Sequence, residues 1–126
     1  MNDLKGVEYI RTSRGISYKE RERQREVNRR CANYRRIPLV DSYTDAGVDG
    51  STSLVHREGA AALVRDAWDG QFNVIFVASV DRIARERAEV VKFMLVMTQL
   101  GVKIILADLD QELTLYWMET EAWQRK

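Results

Sequence analysis

Residues 72–80 are apolar almost without a break, and this stretch limits the fold more than any other in the chain. The run is far too short to span a membrane, and it reads as a strand buried on both faces, the situation of a central strand in a parallel sheet. Parallel neighbours need long crossovers, and the flanking sequence supplies helices for them. Residues 7–13 alternate as a strand, with positions 9, 11 and 13 on one face. From residue 18 to about residue 36 the period turns helical, with Val27, Cys31 and Tyr34 predicted inward and arginines around the other face. After Pro38, residues 39–43 read as a second strand, and residues 44–57, rich in Gly, Ser, Thr and Asp, as a long mobile loop. A second helix is expected over residues 58–68, with Val64, Ala67 and Trp68 inward and a stop at Asp69-Gly70. Residues 84–100 read as a third helix, with Val90, Val91, Met94, Leu95, Met97 and Thr98 inward, ending at Gly101. A fourth strand follows over residues 102–107, then an acidic turn, then the start of a further helix from Leu113. The expected fold class is therefore α/β, a three-layer sandwich around a mostly parallel sheet of about four or five strands.

The 126 residues make one domain, and their 45% apolar and 31% charged content is that of a folded globular chain. Cys31 is the single cysteine, so no internal disulfide and no Cys-rich metal site can form. A reducing, cytoplasmic setting without membrane insertion is expected. The net charge of +1 hides an asymmetry. Residues 1–36 hold eleven Lys and Arg against five Asp and Glu, whereas the remainder holds nine against fourteen. Fifteen of the twenty cations are arginine, whose planar fork suits bidentate phosphate recognition, so an anionic partner such as nucleic acid fits. A solvated, salt-bridged helix explains the same charges without a partner.

In parallel α/β sheets ligands sit beyond the carboxyl ends of the strands. Here those ends carry Arg11, Thr12 and Ser13, then Thr44 and Asp45, then Asp81, Arg82 and Arg85, then Asp108. A serine needs activation to act as a nucleophile, and the one histidine, His56, lies in the expected loop, which argues against a Ser-His-Asp hydrolase. Phosphoryl transfer instead asks for charge stabilisation on oxygen, which fixed guanidinium groups supply without a metal. Arg11 and Ser13 point the same way from their strand. Arg82 and Arg85, placed by this reading at a helix start, share a face to which the helix N-terminus adds favourable potential. Pairing of these arginines with Asp45, Asp81 and Glu86 as structural bridges is the alternative. A second alternative gathers Asp45, Asp81 and Asp108 around magnesium in a phosphotransfer or nucleotide-binding domain, although no Gly-rich phosphate loop accompanies them.

Tyr9-Ile10-Arg11-Thr12-Ser13 resembles the Tyr-x-Arg-x-Ser motif of the serine recombinases, the resolvase, invertase and serine-integrase family, and Asp81-Arg82-Ile83-Ala84-Arg85 resembles their Asp-Arg-x-x-Arg motif. The two stand in family order, with Tyr43-Thr44-Asp45, Gly50 and Arg57-Glu58-Gly59 between them and Gly101-Val102 after them. The resemblance implies a catalytic domain that performs site-specific DNA recombination, cutting and rejoining DNA without metal or other cofactor. Ser13 would attack a phosphodiester to give a 5′-phosphoserine and a free 3′-hydroxyl. Arg11, Arg82 and Arg85 would stabilise the phosphoryl group, with Arg57 a further phosphate-side arginine from the mobile loop. Asp81 would orient the arginines or assist proton transfer to the leaving oxygen, and Tyr9, Asp45 and Gln24 would support the site, Gln24 lying three residues before Val27 in line with the inward stripe of its helix. The implied partners are double-stranded DNA and further copies of the protein, as a dimer and, during exchange, a tetramer.

Some features depart from the family pattern. Asp49 stands where a serine is usual before Gly50, and Val80 where a leucine usually precedes the second motif. Residues 1–112 are expected to form the catalytic domain and residues 113–126 the start of a truncated dimerisation helix. Leu113, Tyr116, Trp117 and Trp123 there need either a partner or the domain's own core to cover them. A catalytically silent association module that keeps the fold is a further alternative.

Overall fold

The computed structural model of the chain describes residues 3–15 and 18–120. Its strands are β1 (Gly6–Arg11), β2 (Leu39–Asp45), β3 (Val74–Val77), β4 (Lys103–Leu106) and β5 (Gln111–Glu112), and its helices α1 (Tyr18–Arg35), α2 (Glu58–Trp68), α3 (Arg87–Gln99) and α4 (Leu115–Thr120). The strands form one sheet in the order β2-β1-β3-β4-β5. The first four in the chain run parallel, and β5 closes the edge antiparallel to β4.

Alternating side chains send the two halves of each strand to opposite layers. Val7, Tyr9, Ile75, Val77, Ile104 and Leu106 pack on one face against α2 and α3, where Leu63, Val90 and Met97 are fully buried. Val74, Phe76, Ile105 and Ala107 face the other way, against Cys31 and Ala32 of α1. Each fully buried side chain of this size contributes about 1.5–3 kcal/mol. The α/β sandwich and parallel sheet read from the sequence are therefore present.

The differences lie in which helix faces turn inward and where elements stop. The buried stripe of α1 is Gln24, Asn28, Cys31 and Ala32, so Gln24 faces the sheet as expected and Asn28 adds a second buried amide. Tyr34 lies about 100° around the helix from the centre of that stripe and is 78% exposed. Trp68 is likewise exposed, because α2 turns Ala60, Leu63 and Ala67 to the core. On α3 the inward residues are Val90, Phe93, Met94 and Met97, and Leu95 and Thr98 face solvent. The helix stops at Gly70 and Gly101 occur where expected, both glycines having positive φ, at +72° and +76°.

β3 ends at Val77 because the chain then turns tightly. The Ser79 hydroxyl donates to the Asp81 carboxylate, and the Arg82 N–H donates to the Ser79 carbonyl at 3.1 Å. Glu86 is extended at the N-cap, so α3 begins only at Arg87. Residues 44–57 also differ from the long mobile loop expected of them. Thr44 and Asp45 extend β2, residues 54–56 make a single 3-10 turn, and the stretch between is tied down by the Val48 N–H to the Thr12 carbonyl at 2.8 Å and the Arg85 N–H to the Gly50 carbonyl at 3.2 Å. Leu113, Trp117 and Met118 join the same core, while Tyr116 stays exposed and Trp123 lies outside the described residues. The Thr114 hydroxyl caps α4 by accepting the Trp117 N–H at 3.1 Å. Among the described residues no helix is long and apolar enough to cross a membrane.

Candidate active site

The carboxyl ends of β1, β2 and β3 meet over a buried polar network. Arg57 sits at the N-cap of α2, where its side chain cannot accept the helix's free N–H groups. Asp45 does so from the end of β2, accepting the Gly59 N–H at 2.7 Å and the Ala60 N–H at 2.9 Å. A negative charge at a helix N-terminus is stabilised by the helix dipole. The position of Gly59 is set by the same contact, since a Cβ there would stand 2.8 Å from both Asp45 Oδ2 and the Thr44 carbonyl. Tyr9 donates its hydroxyl to Asp45 Oδ2 at 2.8 Å and accepts from Arg57 Nη1 at 3.2 Å. Burial pushes the Tyr9 phenol far above its ordinary pKa, so it remains a donor throughout the physiological range. Arg57 also donates to the carbonyls of Thr52 at 3.0 Å, Ile83 at 2.6 Å and Gly50 at 3.2 Å. At 1% exposure its guanidinium faces inward. That corrects the expectation of a phosphate-side arginine carried on a mobile loop: Arg57 clamps the segment it sits on.

Arg11 forms the next layer out. Its Nε donates to the Arg82 carbonyl at 3.2 Å, Nη2 to the Asp81 carbonyl at 2.9 Å, and Nη1 to the Val48 carbonyl at 2.7 Å and to Ser13 Oγ at 3.2 Å. At least four of its five N–H groups are thereby engaged. Gly50 allows the close approach, because a Cβ there would lie 3.0 Å from Arg11 Nη2 and 2.9 Å from Arg85 Cγ. β3 pairs with β1 only as far as Tyr9, and Gln24 of α1 takes over beyond that point. Its amide accepts the Arg11 N–H at 3.3 Å and donates to the Arg11 carbonyl at 2.9 Å. Burial, then repulsion from Arg57 and Arg82, lowers the pKa of Arg11. The site thus holds a concentration of positive charge that an anion relieves.

Ser13 is half-buried just past β1, and the reach of Arg11 to its Oγ favours negative charge developing on that oxygen. Arg82 and Arg85 follow β3 on the same edge of the sheet, but precede the start of α3. Arg82 closes a single 3-10 turn over residues 80–82, and Arg85 lies two residues before α3 begins. Arg82 donates to the Arg11 carbonyl at 3.4 Å and pairs with Glu20 of α1. Arg85 is 62% exposed and stands 3.7 Å from Asp49. The Asp49 carboxyl is held below its ordinary range by the N–H and hydroxyl of Ser51, then by Arg85. His56 is exposed, and the described hydrogen bonds of Ser13 do not involve it.

The three carboxylates of the magnesium alternative do not assemble. Asp45 is committed to Tyr9 and α2, and β2 and β4 lie three strand spacings apart, about 14 Å. Among the described residues no group of three metal-ligating side chains forms. Asp108 at the end of β4 has its pKa raised by burial and then by the charge of Asp81. Sequence reasoning missed Glu20 and Arg23 as neighbours of the site. The signal available was the i, i+4 spacing of Glu20 and Gln24, which puts both on the face of α1 that meets the strand ends.

The chain matches the family described as Resolvase, N terminal domain, over residues 6–122. Among solved structures it is similar to the N-terminal catalytic domain of TP901-1 integrase, at 24% identity and TM-score 0.74, covering 86% of this chain and 81% of that one. It is also similar to the C-terminal catalytic domain of ISC1926 TnpA, an IS607-like serine recombinase, at 21% identity and TM-score 0.75, covering 82% and 70%. A resolvase family site-specific recombinase from Streptococcus pneumoniae aligns at 21% identity and TM-score 0.73, covering 96% and 80%. No curated protein matches the sequence.

Proposed function

Because the chain belongs to the resolvase N-terminal domain family, it is a site-specific DNA recombinase, and we propose that its strand cleavage runs through Ser13 with Arg82 and Arg85 on the phosphate. The observation that carries this reading is Arg11 Nη1 standing 3.2 Å from Ser13 Oγ at the end of β1, with Arg82 reaching the Arg11 carbonyl from the turn after β3. In the cleavage step Ser13 Oγ forms a bond to the phosphorus of a DNA phosphodiester while the bond from phosphorus to the 3′ oxygen breaks. The serine proton is lost, the 3′ oxygen leaves as a hydroxyl, and the protein carries a 5′-phosphoserine. Attack of a different 3′-hydroxyl on that phosphoserine reverses the chemistry and joins new ends. No net bond energy is spent, so no nucleotide cofactor is required.

Arg82 and Arg85 meet the equatorial oxygens, where charge grows in the transition state, and Arg11 holds the nucleophile. The Asp81 main-chain carbonyl receives Arg11 Nη2, and its carboxylate, which accepts the Ser79 hydroxyl, orients the arginines or assists proton transfer to the leaving oxygen. Tyr9, Asp45 and Arg57 fix the strand ends beneath, and Gln24 pins the peptide two residues before Ser13. The substrate is double-stranded DNA. One Ser13 opens one strand, and exchange between two duplexes needs four breaks, so four copies act together, assembled from dimers.

The test is to incubate the intact protein with DNA carrying its site, quench with detergent and analyse the covalent adduct with and without chelator. A 5′-phosphoserine adduct with a free 3′-hydroxyl, formed equally in chelator, is expected. A strict divalent-metal requirement for the cleavage step, or a 3′-linked adduct, would overturn the mechanism.

A further inference from the structure

Glu20 is the least expected group at the site. Its Oε2 receives Arg23 Nη2 at 2.9 Å, Gln24 Nε2 at 3.2 Å and Arg82 Nη2, and its Oε1 receives Arg23 Nε at 3.2 Å. Donors from two separate elements, α1 and the turn after β3, converge on a single carboxylate oxygen. Two are cations and the third is an amide, the donor set that binds a phosphate oxygen. The seat adjoins the end of β1, two residues before the nucleophile, because the same Gln24 nitrogen that meets Glu20 also donates to the Arg11 carbonyl at 2.9 Å. Arg23, then Arg82, holds the Glu20 carboxyl below the ordinary carboxylate range, so it is an anion at neutral pH.

We propose that Glu20 is a resident counter-anion occupying a DNA-phosphate seat formed by Arg82, Arg23 and Gln24, and that DNA must displace it to bind there. The proposal rests on the reading of this edge as a phosphodiester site and adds Arg23 to the phosphate-binding groups. Glu20 lies in the first turn of α1 and keeps 21% of its side chain exposed. Rotation about its side-chain bonds therefore takes the carboxylate to solvent without disturbing the helix. While it is seated, its competition lowers the apparent affinity for phosphate by the fraction of time the seat is open. The chain thereby discriminates against small free anions, and duplex DNA, bringing many phosphates at once, overcomes the barrier.

The experiment titrates inorganic phosphate into the wild-type chain and into Glu20→Gln, Glu20→Ala, Arg82→Ala and Glu20→Gln/Arg82→Ala. The arginine Nε–H resonances are followed by NMR, and a thermal melt confirms that each variant is folded. Both Glu20 variants should bind phosphate about tenfold more tightly than wild type, with the Arg82 and Arg23 signals moving most, and Arg82→Ala should abolish the gain. If Glu20 instead props Arg82 in place, its removal weakens binding or leaves it unchanged, and the proposal is overturned while Arg82 stays a phosphate ligand. If phosphate moves the Arg82 signal in none of the variants that retain Arg82, the phosphodiester reading falls as well.

Discussion

Two layers of the same site treat their charges in opposite ways. In the inner layer the partners are fixed parts of the fold: Arg57 donates to three carbonyls and to Tyr9, and Asp45 receives Tyr9 and two N–H groups of α2. In the outer layer Arg82 and Arg85 rest against the side chains of Glu20 and Asp49, which can swing away. The inner layer is a foundation whose contacts are permanent, and the outer layer is machinery whose contacts are exchanged for substrate. Substitutions in the first should therefore register as stability, and substitutions in the second as rate.

The largest stability effect is expected for Arg57→Ala. It removes the Arg57 donor from the Thr52 and Ile83 carbonyls and one of two partners from the Tyr9 hydroxyl and the Gly50 carbonyl, and urea unfolding should show a loss of about 3 kcal/mol or more. A loss below about 1 kcal/mol would erase the distinction between layers. Gly59→Ala comes next, at about 1–3 kcal/mol, because the added Cβ meets Asp45 and the Thr44 carbonyl at 2.8 Å and forces the helix cap apart. Tyr9→Phe removes one donor from Asp45 but leaves it both helix N–H groups, so about 1 kcal/mol should be lost. Arg85→Ala should change stability by less than about 0.5 kcal/mol, as expected for an exposed side chain. Its cleavage rate should nevertheless fall by about 10². A rate within a few-fold of wild type would move Arg85 out of the machinery.

The sequence carried the outline of this site well and its layering poorly. The apolar run around Ile75 and Phe76 was enough to place β3 at the centre, whereas the strand expected to carry Ser13 ends at Arg11, and Arg11 reaches Ser13 through its side chain. The in-line spacing of Gln24 with the buried face of α1 was readable too, although Tyr34 was wrongly drawn into that face. What could not be read was the destination of each long polar side chain. Arg57 and Arg85 are the same residue type in similar polar surroundings, yet one is clamped inside and the other reaches solvent. Only the tertiary approach of Gly50, Ile83 and Tyr9 decides that, and these positions are remote from one another in the chain. The helical reading of Arg82 and Arg85 failed for a local reason. The bond from Ser79 to Asp81 starts a turn that a periodicity argument does not see.

The central claim is that Ser13 is the group joined to DNA while the foundation beneath it needs no hydroxyl there. The direct measurement is mass spectrometry of the peptide carried on trapped DNA, made with wild-type protein and with Ser13→Ala after equal thermal melts. Wild type should yield a single phosphorylated site at Ser13, and Ser13→Ala should melt within about 0.5 kcal/mol of wild type and yield no adduct. An adduct on any other residue, or one that persists in folded Ser13→Ala protein, would contradict the account.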